Sequence, residues 1–242
     1  GEVPVYPELL DHLAVSFIES GWNVKDLVKQ IVTSRTYRQS SVSTPEQFAT
    51  DPENRMLARG SRFRMDAEMI RDQILATSGL LVYTMYGKSV KPPQPDGLWK
   101  SVTMIGERFK ADTGAAAYRR SLYTYWKRGM PPPQMTILNA PIRDACIARR
   151  ERTNTPSQAL LLLNESEYLG AARELARKVL GIKETRAARR LAFAFETVTS
   201  KLPDAKERQI LSDLLMALQK SYLEQPELAD EICSGLNLKT AE

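Results

Sequence analysis

The chain has 242 residues and a formal net charge of +5; 43% of its residues are apolar, 26% charged and 7% aromatic. That length can bury a sizeable core as one large or two small domains, and the composition excludes disordered, collagenous and fibrous classes. No apolar run approaches the roughly 18 residues that a membrane-spanning helix needs; the longest strong one is Ala159 to Leu163. The opening Gly-Glu-Val-Pro, with neither an initiator methionine nor an apolar secretion segment, reads as the start of an excised piece of a longer protein.

The first 40 residues predict a helical hairpin. Pro7 suits a first helical position, Leu9, Leu10, Leu13, Ala14, Phe17 and Ile18 recur with helical spacing, and Gly21 stops the pattern. Asn23 is placed to cap a second helix whose apolar stripe is Val24, Leu27, Val28, Ile31 and Val32. From Thr36 to Arg59 the chain is rich in Ser, Thr, Asp, Asn and Arg, with Pro45 and Pro52, and is expected to be largely loop with a short turn of helix. A third helix is predicted from about Asp66 to Leu81, broken near Gly79.

From Gly87 to Ala140 the periodicity fails under repeated proline and glycine, including Pro131 to Pro133. Only Arg120 to Trp126 is β-prone there, as a short strand or an extended aromatic segment. Helical signals return at Thr155-Pro156-Ser157-Gln158, a capping-box pattern before Ala159 to Leu163. Helices are then expected over Glu167 to Leu180, Thr185 to Ser200 and Asp204 to Glu224, with a short last one over Pro226 to Cys233. The expected fold is therefore mainly α: an N-terminal helical hairpin plus a C-terminal helical bundle, joined by a long irregular segment with room for one short β-hairpin. We read 1–242 as a single α-helical domain, with N-terminal helices over 1–85, the irregular aromatic and Arg-rich segment over 86–153 and C-terminal helices over 154–235.

Charge is unevenly spread. Lys100 to Arg152 holds eleven basic residues against four acidic ones, a net of +7, while Lys201 to the end has five basic and eight acidic, a net of −3. A basic middle can face a polyanion or an acidic partner, or can simply be a solvated surface. Cys146 and Cys233 fit no close-spaced metal or redox pattern, and a single histidine, His12, leaves no haem-attachment motif and no His-rich metal site. Asp96, Glu107, Asp112, Asp144 and Glu151 could supply paired carboxylates but stand in no recognisable frame, Ser121 lacks a nucleophile elbow, and no glycine-rich phosphate loop occurs. No catalytic residue, cofactor ligand or metal ligand is assigned, which argues against an enzyme.

The most unusual composition is Tyr118 to Arg128, where Arg119, Arg120, Tyr123, Tyr125 and Trp126 interleave cations with aromatic rings. Such a segment can stack on a ligand or line a core with snorkelling arginines. With Trp99 and the run Arg149, Arg150 and Arg152, these residues form the candidate ligand or partner surface.

Several ordered blocks carry a family likeness: Pro7-Glu8-Leu9-Leu10-Asp11 with Gly21-Trp22, Thr36-Tyr37-Arg38-Gln39-Ser40, Asp51-Pro52-Glu53-Asn54-Arg55, Arg64 to Asp72, Tyr118 to Tyr123 with Trp126-Lys127-Arg128, and Arg149 to Gln158 running on to Asn164. Over roughly residues 6 to 200 the chain resembles domain of unknown function 1553 of planctomycetes and related bacteria. Tyr6 stands where that family would place a histidine before the proline. The resemblance implies no catalytic residues. It implies a module of an exported protein whose upstream part carries a cytochrome c-like haem domain and domain of unknown function 1549, so any haem belongs outside this segment and the location is extracytoplasmic or periplasmic. The expected function is a non-catalytic interaction or structural module. Its partners would be other domains of the parent chain, with an acidic protein or a polysaccharide as further options and nucleic acid disfavoured. The alternatives are an exported hydrolase or redox enzyme acting on complex carbohydrate, with a pocket around Trp99, Tyr123, Trp126, Asp144 and Arg150, and a polyanion-binding module.

Overall fold

A computed structural model describes residues 3–95, 98 and 109–234, with backbone alone over 231–234. Among the described residues the chain is mainly helical, with ten α-helices and no β-sheet. It divides into two compact units, Gly1–Arg64 and Met65–Glu242.

In the first unit, α1 (Pro7–Glu19) and α2 (Val24–Thr33) form the expected hairpin. Pro7 occupies the first turn of α1, and the Asn23 side chain accepts from the Asp26 amide to cap α2. Gly21 and Trp22 both take positive φ in the turn, and the Trp22 ring meets Phe17 edge-on at 5.2 Å. α3 (Pro45–Thr50) is the short helix expected within the polar stretch; its capping box joins Thr44 and Gln47 reciprocally.

The loop after α3 is wound by side chains rather than by regular pairing. The Asp51 carboxylate accepts from the Arg55 and Met56 amides, and Arg59 reaches back to the Asp51 and Pro52 carbonyls while lying over the Phe48 ring. The Met56 amide is the main reason that the Asp51 carboxyl sits below its ordinary value, with the Arg55 amide and the Arg59 and Arg55 charges adding to it against the opposing effect of burial. Gly60 passes so close to the backbone that a Cβ there would lie 2.7 Å from the Gln39 carbonyl oxygen, which is why the position takes glycine.

In the second unit, α4 (Ala67–Ser78) buries Ala67, Arg71, Leu75 and Ser78, a stripe at helical spacing, and ends at Gly79 with φ +87°. It packs on α7 (Ser166–Leu180), where Gly170 and Ala171 let the backbones approach. α5 (Pro133–Ile137) and α6 (Pro156–Asn164) complete the core, in which Ala67, Met135, Leu138 and Ala140 cluster with Ile70, Trp126 and Leu161 against them. α8 (Ala187–Thr199), α9 (Ala205–Glu224) and α10 (Pro226–Ser234) follow, each packing on its predecessor. The capping boxes at Thr155/Gln158 and Asp204/Glu207 both form.

Between α4 and α5 the described residues form no α-helix, as the prolines and glycines require. Two 3-10 turns occur here, Gly114–Tyr118 and Ser121–Tyr123, and the second lies where Arg120 to Trp126 offered a strand. Among the described residues extended pairing is limited to isolated bridges, parallel at Val82 with Arg119 and Val90 with Thr124, antiparallel at Lys127 with Met130. The two parallel bridges stand eight residues apart on one side and five on the other and do not extend into a ladder; between them Arg119 takes the carbonyls of Thr84, Tyr86 and Lys88.

Candidate functional site

Arginines organise the irregular segment: Arg71 and Arg119 supply donors to backbone carbonyls that lack a ladder partner, while Arg150 and Arg152 pair with carboxylates at the start of α4. Arg71, fully buried on the inner stripe of α4, spends all five N–H groups. Nε and Nη2 grip the Glu167 carboxylate of α7 at 2.9 and 2.6 Å, Nη2 also reaches the Ala117 carbonyl at 2.9 Å, and Nη1 reaches the Arg119 carbonyl at 2.9 Å and Ser121 Oγ at 3.3 Å. Gln134 of α5 adds a third donor to Glu167 at 3.2 Å. One ion pair thus joins α4, α5, α7 and both 3-10 turns. Burial pushes the Glu167 carboxyl up, against the pull of the Arg71 charge and hydrogen bonds. Beside it, the Tyr168 hydroxyl is buried without a hydrogen-bond partner, and burial followed by the Glu167 charge pushes its pKa well up.

Arg119 plays the same part for the loop after α4. Its guanidinium donates to the carbonyls of Thr84 (3.0 Å), Tyr86 and Lys88 (2.8 Å) and lies 3.9 Å above the centroid of the Tyr123 ring. The Tyr123 hydroxyl accepts from the Tyr86 amide at 2.8 Å and contacts Met85 Sδ at 3.8 Å. Asp72 of α4 accepts from the Ser121 amide at 2.7 Å, with Arg120 3.9 Å from its other oxygen.

A third knot lies at the start of α4. Arg150 makes a bidentate contact with Glu68 at 2.6 and 3.2 Å and stands 3.6 Å from Asp66, to which Arg152 comes within 3.8 Å. Burial pushes the Glu68 carboxyl up, but the Arg150 hydrogen bond and the Arg150 and Arg143 charges outweigh it and leave the carboxyl below its ordinary value. Arg143 lies over the Trp126 ring at 4.4 Å, Trp126 donates to the Ile142 carbonyl, and Arg128 pairs with Asp144 at 3.1 Å.

The residues singled out in the sequence are therefore divided among separate structures. Arg119 and Tyr123 hold the 84–88 loop, Arg150 and Arg152 tie the 149–152 stretch to α4, and Trp126 packs on the core. Tyr125 carries Lys91 over its ring at 5.0 Å, Arg149 is exposed, and Trp99 lies outside the described residues, as do Asp96 and Glu107. Of the other carboxylates, Asp112 accepts from the Lys91 amide and Glu151 is exposed. Sequence reasoning missed Arg71, Glu167 and Gln134 as the central node. The signal was present: Arg71 falls four residues from both Ala67 and Leu75, on the buried stripe, where a lone arginine requires a partner.

Among the described residues no group of three or more His, Cys, Asp or Glu could hold a metal, and no helix is long and apolar enough to cross a membrane. A groove of about 340 Å³ runs along the α1–α2 hairpin; its one carboxylate, Asp26, accepts from the Asn23 amide group, and His12 stands outside it.

A family model described as PSD1, protein of unknown function (DUF1553), matches residues 1–215. No curated protein and no solved structure matches the chain.

Proposed function

Since the chain belongs to the PSD1 family of proteins of unknown function (DUF1553), we propose that it acts as a non-catalytic interaction module of an exported, cytochrome c-associated multidomain protein of planctomycete type, docking other domains of its parent chain. One observation carries this reading: no residue of α1 or α2 is buried, so apolar stripes that include Leu10, Ile18, Val24 and Val28 remain at the surface. Large apolar side chains held at the surface of both helices favour an interaction site. The arginine network supports the reading from the other side, because guanidinium groups that satisfy internal carbonyls and carboxylates serve to hold a rigid scaffold.

The test is calorimetric titration of the full chain with the purified upstream remainder of its parent protein, at low and moderate salt. Docking through apolar stripes predicts saturable binding that persists at moderate salt, with a negative heat-capacity change, and that Val28→Asp weakens about tenfold or more. Absence of binding at both salt levels contradicts the proposal. Binding that vanishes at moderate salt reassigns the module to polyanion or acidic-partner recognition by its basic middle.

A further inference from the structure

The loop between α4 and the Val90 bridge has a construction that its own packing does not require. Tyr83, Met85 and Tyr86 expose 70%, 50% and 81% of their surface, while the backbone beneath them is fixed by the Arg119 fork to three carbonyls and by the Tyr123 hydroxyl to the Tyr86 amide. Tyr86 holds φ at +64°, a conformation costly for a residue with a bulky side chain, next to Gly87 at +87°. The buried guanidinium thus secures a strained loop whose large side chains point away from the core.

We propose that this loop is a contact site for a neutral polysaccharide, with Tyr83 and Tyr86 as stacking platforms and Met85 between them. Three features favour that occupant. An exposed tyrosine offers a flat apolar ring to the C–H face of a sugar and a hydroxyl to its oxygens, at low cost in side-chain entropy. Charge is nearly absent, since Lys88 is the only charged residue from Val82 to Val90. Area decides against a folded partner: the three side chains offer roughly 400 Å², against about 800 Å² that each side contributes to a standard protein–protein interface. A short run of sugar rings fits that area, and a preformed loop saves the ordering cost that would otherwise cancel so small a contact.

The test is affinity electrophoresis of the full chain in gels containing soluble neutral glycans (hydroxyethylcellulose, laminarin, arabinoxylan), at two salt concentrations. The proposal predicts that at least one glycan retards the chain equally at both, and that Tyr83→Ala and Tyr86→Gly each weaken retardation about fivefold, the loss of one aromatic contact. Tyr86→Gly keeps the test clean, because glycine accepts the positive φ without strain and the variant is expected to melt no earlier than the native chain. Tyr37→Ala, at an exposed tyrosine in the first unit, leaves retardation unchanged. No retardation in any of the three gels overturns the proposal, as does retardation that Tyr86→Gly leaves intact. If Tyr86→Gly instead weakens binding to the upstream remainder of the parent chain while glycans stay unbound, the loop belongs to the protein interface and the glycan assignment is wrong.

Discussion

At the residue scale the decisive feature is the buried Arg71–Glu167 pair. Its two charges are fully removed from water, and each of the five guanidinium N–H groups has a partner. Such a pair adds little net stability over an apolar replacement, yet breaking it strands a charge. Arg71→Met is therefore expected to cost roughly 3–5 kcal/mol in urea unfolding, and adding Glu167→Leu should recover part of that loss. A single-variant cost under about 1 kcal/mol would show that the pair is not the node described here. Tyr168→Phe is expected to act in the opposite direction, raising stability by about 1 kcal/mol, because it removes a buried hydroxyl that has no partner; a lower melting temperature would contradict this. The sequence reveals that the Arg-rich blocks hold the irregular segment, but not which groups they hold. Arg119 takes carbonyls 31 to 35 residues away, and no local pattern records which carbonyls a loop will leave unpaired.

At the element scale, legibility follows locality. Asn23, Thr44, Thr155 and Asp204 cap the helices they precede, and in three of the four cases a glutamine or glutamate at the third position closes the box, as residue types and spacing alone imply. α5 escaped notice because it begins inside the Pro131 to Pro133 run and its five residues are too few for a recurring apolar stripe. It exists through Met135 in the core, Gln134 on Glu167, and Gln158, whose amide donates to the Ile137 carbonyl. The connection from α7 to α8 gives a pH-dependent prediction. The Arg186 side chain first, then its amide and Arg189, hold the Glu184 carboxyl down to about 2 from its ordinary 4.5. A carboxyl with a depressed native pKa contributes stability above about pH 4.5 and loses that contribution as pH falls toward 2. Melting temperatures of native chain and Glu184→Gln should therefore differ at neutral pH and converge across that window, with a smaller difference in high salt; a gap independent of pH would contradict the assignment.

At the scale of the whole molecule, the mainly helical class with an irregular middle was readable from periodicity and its failure under proline and glycine. The boundary between the two compact units was not, since it falls between Arg64 and Met65, inside a block that reads as one continuous motif up to Asp72. Packing density separates the units, and periodicity does not encode it. Within the second unit, arginine side chains replace the sheet that the aromatic segment does not form, so the fold is held by side-chain-to-backbone bonds of long sequence separation. Within the first, side-chain caps and the Asp51, Asn54 and Arg59 bonds hold the loops while the helices keep their apolar stripes at the surface.

The central claim, that this surface exists to be covered, is tested most directly by amide hydrogen exchange of the full chain, alone and with the upstream remainder of its parent protein. Docking through the hairpin predicts slowed exchange across Pro7–Glu19 and Val24–Thr33 in the mixture, against fast exchange in the isolated chain. Unchanged exchange in both helices, at concentrations where the two proteins bind, would contradict it.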